Sequence, residues 1–172
     1  MSFKVQVHDL MKRPGLMREH DLKIVLTEPI GTEVVKVPVA SVLDVGLRLE
    51  SVHEGILASG ELSAVAEAEC SRCLDEIDID VEVDFQELYN YKAQDEEEFE
   101  VVGEEIDLEQ VIIDAIVLEL PFQPVCDKGC LGLCMECGFK LSDYPSHVHE
   151  GQIDSRFEAL KELLEKQDGD LA

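Results

Sequence analysis

Two stretches in the first half of the chain alternate apolar and polar residues with a period of two. From residue 56 to 70 the even positions are apolar or small, and the odd positions are mostly Ser and Glu. From residue 77 to 85 the odd positions are apolar, and every residue between them is Asp or Glu. Such alternation is typical of half-buried antiparallel strands.

The short segment between these two strands predicts how they pair. A two-residue turn at 71–72 sets Ala66 opposite Ile77 and brings the apolar sides of both strands onto one face. The two strands then form a hairpin, and Cys70 and Cys73 lie at its tip.

The remaining apolar segments predict further strands and two helices. Short runs rich in Val, Ile and Leu, separated by Pro and Gly, indicate strands. These are Phe3–Val7, Asp21–Leu26, Val34–Val39 and Val42–Leu49. A helix is predicted over residues 107–120, with Asp107 as N-cap and Pro121 beyond its end. Its inward residues are predicted to be Leu108, Val111, Ile112, Ala115 and Leu118.

These elements predict a single α+β domain spanning residues 1–172. Residues 1–91 are mainly strands of an antiparallel, partly barrel-like sheet, on which the helix packs as a buried element. Residues 92–106 are predicted to be a mobile acidic loop, because they combine high charge with few apolar residues. The cysteine-rich loop covers 121–145, and a C-terminal helix covers 154–167.

Charge is distributed unevenly along the chain. Residues 1–48 carry seven Lys/Arg against six Asp/Glu, whereas residues 49–172 carry seven against 33. Because nucleic acids are bound mainly through neutralised phosphates, the second part is expected to repel RNA and to attract basic proteins. Direct RNA contact is therefore expected only from the N-terminal third, through Lys12, Arg13, Arg18 and Lys23. Solubility alone is an alternative explanation of the acidic charge.

Six cysteines form two clusters, Cys70/Cys73 and a run of four at 126–137. The N-terminal residues lack the apolar core of a secretory signal, and no segment reaches the roughly 18–20 apolar residues of a membrane span. A cytoplasmic location is expected, where cysteines at such spacing indicate metal or redox chemistry and not a disulfide framework.

Structural zinc is the favoured interpretation of the cysteines, because zinc takes four ligands in a closed tetrahedral site. The leading ligand set is Cys126, Cys130, Cys134 and Cys137. The alternative uses Cys70 and Cys73 as the second pair across the fold. His147 and His149 follow the run and offer nitrogen ligands, although such a pair is more often an exposed loop.

Two catalytic interpretations of the cysteines compete with zinc. The spacing of Cys130, Cys134 and Cys137 matches the iron–sulfur motif of radical enzymes, but these need a larger barrel than this chain supplies. A thiol redox enzyme or sensor would use Cys70 and Cys73. A redox pair usually opens a helix that lowers the thiol pKa, whereas this pair is expected on a hairpin among acids.

Several motifs in order resemble the large ribosomal RNA subunit accumulation protein family, the YceD family. They are CSRCL, LELP, PVCDKGCLGLCMECGFKLS and DSRFEALKELL, preceded by DLMKRPG. The resemblance covers essentially the whole chain and departs at Ser155, where many relatives have Pro. It implies a non-enzymatic role in synthesis, processing or stability of 23S ribosomal RNA, and it brings no catalytic residues.

The resemblance and the charge together predict a zinc-stabilised acidic adaptor in large-subunit biogenesis. Its expected partners are basic ribosomal proteins or assembly factors, with ribosomal RNA contacted weakly or indirectly. No membrane and no small-molecule substrate is expected. The acidic residues expected to meet a basic partner are Asp95, Glu96, Glu97 and Glu98.

Overall fold

The fold was obtained as a computed structural model that describes residues 3–95 and 98–149. The chain divides into two compact units, Met1–Cys130 and Leu131–Ala172. The single domain expected over residues 1–172 stays a prediction. The predicted C-terminal helix at 154–167 lies outside the described residues.

The described part of the first unit contains eight strands and one helix. In chain order they are β1 (Lys4–Gln6), β2 (Met17–Val25), β3 (Ile30–Gly31), β4 (Val35–Val37), β5 (Val42–Ser51), β6 (Gly55–Glu69), β7 (Glu76–Asn90), β8 (Glu105–Asp107) and α1 (Glu109–Glu119). Strands β1 and β8 form a two-stranded sheet, and β2 to β7 form a six-stranded sheet. Every pairing between these strands is antiparallel, which confirms the predicted α+β class with an antiparallel sheet.

Strand β6 is the centre of the larger sheet, which curls into a half-barrel. Strand β7 pairs with β6 along all of its length. Because a strand has only two edges, β5 and β4 share the other one: β5 pairs with residues 56–63 and β4 with residues 67–68. The C-terminal end of β6, just past its pairing with β4, therefore leads into the connection that contains Cys70 and Cys73.

The predicted faces of the hairpin are confirmed, but its predicted register is wrong by two residues. Ala66 pairs with Ile79, and Ala68 pairs with Ile77. The connection is longer than two residues because the chain between Glu69 and Glu76 forms its own turn around the cysteines. A shift of two residues keeps the same side chains on the same face, so the apolar sides still coincide.

Helix α1 packs against β7 and β3, and it begins later than predicted. Asp107 ends β8, where it pairs with Lys4, so Leu108 is the N-cap instead. The Asp107 carboxylate still accepts a hydrogen bond from the Glu109 N–H at 3.0 Å. The helix ends before Pro121, as predicted.

One side of α1 belongs to the core and the other faces solvent. Val111, Ile112 and Ile116 are buried, whereas Leu118 is 84% exposed. At 3.6 residues per turn, Leu118 lies about 200° around the helix from Ile116, on the opposite side. The prediction that Leu118 points inward is therefore wrong.

The acidic stretch after β7 has regular contacts in its described part. The Asn90 N–H donates to the Phe99 carbonyl at 2.8 Å, and the Val101 N–H donates to the Asn90 carbonyl at 2.9 Å. The Phe99 ring lies 5.4 Å from the ring of Tyr89. Much of the range predicted as a loop is therefore held by these contacts and by β8. The reason is that the few apolar residues of this range are spaced so that they reach the core.

Candidate metal centres

The connection between β6 and β7 places two thiols at the tip of the sheet. The Cys70 N–H donates to the Asp75 carbonyl at 2.8 Å, and the Leu74 N–H donates to the Cys70 carbonyl at 2.9 Å. Leu74 closes this turn with a φ of +61°, a left-handed conformation that side chains rarely adopt. Cys70 is 0% exposed and Cys73 is 5% exposed, so the turn keeps both sulfurs from solvent.

The segment after α1 crosses this tip and brings a second cysteine pair to it. The Ser71 N–H donates to the Pro124 carbonyl at 2.8 Å. The Arg72 guanidinium donates to the Cys130 carbonyl at 3.1 Å, and the Cys130 N–H donates to the Asp127 carbonyl at 3.1 Å. These bonds fix the segment 124–130 against the hairpin.

Four sulfurs converge as a result, and we call this group the four-thiol centre. It consists of Cys70, Cys73, Cys126 and Cys130, whose sulfur atoms all lie within 4.8 Å of one another. Cys73 and Cys126 are 3.6 Å apart and Cys70 and Cys130 are 3.9 Å apart, and all are free thiols. A zinc–sulfur bond of about 2.3 Å gives tetrahedral sulfur–sulfur distances of about 3.8 Å, so this group fits zinc.

The electrostatics of the four-thiol centre fit a cation as well. Backbone N–H groups of Cys126, Cys73 and Arg72 lower the pKa of Cys70 to about 6. The Asp75 amide acts the same way on Cys73, but burial and the other three thiols outweigh it and raise the pKa of Cys73 to about 12. Four crowded thiols cannot all ionise without a positive charge among them, and a bound metal ion supplies that charge.

The second unit contains another convergence of ligand atoms, which we call the thiol–imidazole group. It consists of Cys134, Cys137, His147 and His149, whose ligand atoms also lie within 4.8 Å of one another. The Cys137 sulfur is 3.1 Å from His147 Nε2 and 3.2 Å from His149 Nε2. The amides of Cys137 and Glu136 point at the Cys134 sulfur and lower its pKa to about 6.

The fold therefore divides the four cysteines of the leading ligand set between two groups. Cys126 and Cys130 lie beside the hairpin pair, whereas Cys134 and Cys137 lie beside two histidines. Which residues ligate a metal stays a proposal. The structure brings His147 and His149 beside Cys134 and Cys137, and the signal for this in the sequence is two histidines two residues apart, ten residues after a Cys-x-x-Cys.

The basic residues predicted to contact RNA are partly engaged within the chain. Arg18 pairs with Asp9 at 2.6 Å, and Lys23 pairs with Asp44 at 2.5 Å. The Asp9 carboxyl has a lowered pKa: burial raises it, but its backbone hydrogen bond and the Arg18 guanidinium together outweigh that effect. Lys12 and Arg13 are exposed in the turn before β2.

Acidic side chains cover the outward face of β6 and β7. Every acid on this face of β7 is exposed: Glu76, Asp78, Asp80, Glu82 and Asp84. Three of them pair with acids of β6, in the pairs Glu61–Asp84, Glu67–Asp78 and Glu69–Glu76. We call these eight residues the acidic ladder. Lys36 of β4 lies opposite Glu67 and offsets the charge at that position.

Of the acids predicted to meet a partner, the described ones lie at the end of β7. The Glu98 carboxylate accepts hydrogen bonds from the Gln94 N–H at 2.9 Å and from the Asn90 side chain at 3.2 Å. Asp95 is exposed, and its carbonyl accepts from the Glu98 N–H at 3.3 Å. Glu96 and Glu97 lie outside the described residues.

The fold is a small α+β structure built mainly on antiparallel strands, and it carries two groups of Cys and His side chains that could hold a metal ion. A family model described as "Large ribosomal RNA subunit accumulation protein YceD" matches residues 58–164, a range that includes both ligand groups and the acidic ladder. The chain belongs to this family, which confirms the resemblance found in the sequence.

Similar chains come from mycobacteria. An uncharacterized protein of Mycobacterium tuberculosis is 42% identical over 167 residues, which cover 93% of this chain and 80% of the relative. An uncharacterized protein of Mycobacterium leprae is 38% identical over 162 residues, covering 90% and 74%. No solved structure matches. Within the described residues, no helix has the length and apolar content needed to cross a membrane.

Proposed function

We propose that this protein is a non-enzymatic cytoplasmic factor in the synthesis, processing or stability of 23S ribosomal RNA, and hence in large-subunit biogenesis. Membership of the YceD family is the observation that carries the proposal. Within that role the chain acts as a zinc-stabilised acidic adaptor that holds basic partners.

The four-thiol centre supports a structural metal in this proposal. Structural zinc sites are closed by four protein ligands, whereas catalytic sites keep one position for water or substrate. Four thiols, two of them buried, leave no open position. Zinc bound here would tie the segment after α1, which carries Cys126 and Cys130, to the hairpin tip. The tip carries Cys70 and Cys73.

The acidic ladder supports a basic partner. Like charges directly opposite each other on neighbouring strands destabilise a sheet, and the ladder contains three such pairs. A cationic surface docked on it would relieve that repulsion and would be attracted over a long range at low salt. Basic ribosomal proteins or assembly factors have this chemistry. The acidic residues Asp95, Glu96, Glu97 and Glu98 would add negative charge for the same partner.

Direct RNA binding would be weak in this proposal. Of the four predicted contact residues, Arg18 and Lys23 already pair with carboxylates, which leaves Lys12 and Arg13. Each phosphate contact contributes about 0.7–0.9 to the slope of log affinity against log salt, so this surface would bind RNA with a shallow salt dependence.

A thiol redox function of Cys70 and Cys73 is the alternative. The lowered pKa of Cys70 beside the raised pKa of Cys73 favours it, because redox pairs combine a thiolate with a neutral thiol. Both sulfurs are buried, however, and two further thiols lie within 4 Å of them. Tightly bound zinc with no reactive thiol in the purified protein supports the adaptor, and a reducible Cys70–Cys73 disulfide supports the redox function.

The adaptor function is tested by neutralising three acids of the ladder together, Asp78→Asn, Asp80→Asn and Glu82→Gln. In cells that depend on this protein, we expect lower 23S relative to 16S ribosomal RNA and less capture of basic ribosomal proteins. The control variant, Glu28→Gln with Glu54→Gln and Glu104→Gln, makes the same charge change in exposed turns and should leave both unchanged. Unaltered 23S levels and capture in the ladder variant would refute the adaptor surface.

A further inference from the structure

The short unit after the four-thiol centre has ligand chemistry of its own. We propose that residues 131–149 bind a second divalent metal ion of the zinc class, separately from the first, through Cys134, Cys137, His147 and His149. The full chain then carries two metal ions with different ligand sets. This inference rests on the chemistry of the unit and holds whether or not the ribosomal function is correct.

The backbone of the unit forms the turn that zinc-binding cysteine pairs use. Leu133 and Lys140 form an antiparallel bridge, and the Cys134 N–H donates to the Phe139 carbonyl at 2.8 Å. The Gly138 N–H donates to the Cys134 carbonyl at 2.9 Å, and Gly138 has a φ of +73° that favours glycine. This tight turn sets both sulfurs on one side, with amides directed at the first of them.

The distances within the thiol–imidazole group are close to those of a tetrahedral zinc site. Zinc–nitrogen bonds of about 2.0–2.1 Å and zinc–sulfur bonds of about 2.3 Å give ligand–ligand distances of about 3.3–3.6 Å. The sulfur of Cys137 lies 3.1 and 3.2 Å from the two histidine nitrogens, which are 2.8 Å from each other. Opening the group by about half an ångström accommodates the ion, and the exposed side chains of Cys137 and His149 can make that movement.

A carboxylate behind His149 gives a second, independent indication of metal binding. Histidine ligands characteristically donate their other ring N–H to a carboxylate, which fixes the tautomer and directs the free nitrogen to the metal. The Nδ1 atom of His149 lies 3.3 Å from the Glu136 carboxylate, while its Nε2 atom faces the group. Glu136 is therefore assigned as a positioning residue for His149.

Aromatic contacts hold the other histidine in place. The Phe139 ring lies 5.8 Å from the His147 ring and 6.0 Å from the Tyr144 ring, and the His147 N–H donates to the Tyr144 carbonyl at 2.9 Å. None of the buried hydrophobic residues identified in the described chain lies beyond Leu120. A metal ion would supply the stabilisation that the described residues 131–149 do not obtain from a core.

The competing explanation is a metal-free hydrogen bond between the two imidazoles. Metal counting on the purified full-length chain, loaded with zinc under reducing conditions and then desalted, separates the two explanations. We expect two zinc ions per chain in the wild type and one in the double variant His147→Asn/His149→Asn. The control His53→Asn, in the exposed turn between β5 and β6, should keep two. An equal number of zinc ions in the wild type and in the double variant would overturn the proposal, whatever number the four-thiol centre contributes.

Cobalt(II) loading identifies the ligand sets even if a variant is poorly folded. A four-thiolate site and a two-thiolate, two-imidazole site give different visible bands, and the thiolate charge-transfer intensity scales with the number of sulfurs. The wild type should show both spectra and the double histidine variant only the four-thiolate spectrum. A four-thiolate spectrum alone in the wild type would contradict the second site.

The role of Glu136 is tested by affinity. Glu136→Gln should weaken zinc binding at the second site by about 10–100-fold, as is usual for partners of ligating histidines. Glu28→Gln, the same change at an exposed turn, should leave it unchanged, and the cobalt spectrum of the second site should persist in both variants at saturating metal. Equal affinity in the Glu136 variant would remove its positioning role.

Discussion

The sheet unit and the short unit that follows it contain similar ligand groups in very different surroundings. The four-thiol centre lies at the tip of a hairpin that belongs to an extensive hydrophobic core, with residues such as Leu47, Ile56 and Tyr89 almost fully buried. The thiol–imidazole group lies in residues 131–149, where none of the identified core residues is found. The sheet unit has a core through which it can fold, whereas residues 131–149 would have to be stabilised by their ligand group, as proposed above.

The difference shows that the structural role of a cysteine pair cannot be inferred from its spacing alone, because it depends on the structure around the pair. In the sheet unit the core already positions Cys70 and Cys73, so a metal there would fix one further segment. In residues 131–149 the turn at Gly138 and the ring contacts of Phe139 are local, and a metal would tie together ends ten residues apart.

Metal removal should have the largest effect, and it should fall on the short unit. On dialysis against a chelator, we expect amides of residues 131–149 to lose their protection from hydrogen exchange almost completely, because binding energy of structural zinc is folding energy. Amides of β5 and β6 should remain protected. Readdition of zinc should restore the pattern. Equal loss in both units would mean that the sheet also depends on metal for its fold.

A substitution on the core-facing side of β6 should destabilise the sheet unit and leave the short unit unchanged, which is the reverse of the effect of metal removal. Gly60→Ala puts a Cβ atom 2.5 Å from the Phe85 ring, and overpacking of this kind costs about 1–3 kcal/mol. We expect a lower free energy of unfolding of the sheet, measured by denaturant, with an unchanged cobalt spectrum of the thiol–imidazole group.

Gly46→Ala is the control, because the nearest atom to its new Cβ is the Glu61 carbonyl oxygen at 3.9 Å. It should change the free energy of unfolding by less than Gly60→Ala does. A Gly60→Ala protein as stable as the wild type would show that Phe85 can move aside and that the core is less tightly packed than its burial indicates.

Gly60 also illustrates what the sequence could predict. Alternation in residues 56–70 identified the buried face of β6, because periodicity follows from the pleat. It did not identify the partner of Phe85, which is Gly60 and not Ala58, since a shift of two residues leaves every face unchanged. Register depends on the turn, and here the turn is shaped by two cysteines.

The sequence indicated a site rich in cysteine ligands, but it did not indicate which sulfur atoms the fold brings together. The spacing of the cysteines indicated thiolate ligands, but distance along the chain misled about distance in space. Cys130 is four residues from Cys134, yet it lies 3.9 Å from Cys70, because the segment 124–130 returns to the hairpin. Ile106 is a second residue whose position in space does not follow from its neighbours in sequence. It lies in an acidic stretch, but it is buried in β8, where it pairs with Val5 of β1.

The smallest effect on the free energy of unfolding is expected from the outward face of the sheet, where side chains interact through charge and not through packing. Glu61→Gln removes one of the like-charge pairs of the acidic ladder, that with Asp84, and should stabilise the sheet unit by about 0.2–1 kcal/mol. The gain should be present at low salt and should shrink toward zero near 1 M salt, where the screening length falls to about 3 Å. Denaturant unfolding at both salt concentrations measures it, and the short unit should be unaffected in both.

The same variant tests why the repulsion exists. If the ladder binds a basic partner, Glu61→Gln should gain stability and lose capture of basic ribosomal proteins, because the charge that strains the sheet is the charge that attracts the partner. Ser63→Ala, on the same face of β6 opposite Glu82, is the control and should leave capture unchanged. A gain in stability with unchanged capture would show that Glu61 is a solvent-exposed acid that does not contact the partner. The adaptor surface would then have to lie among the remaining acids of β7.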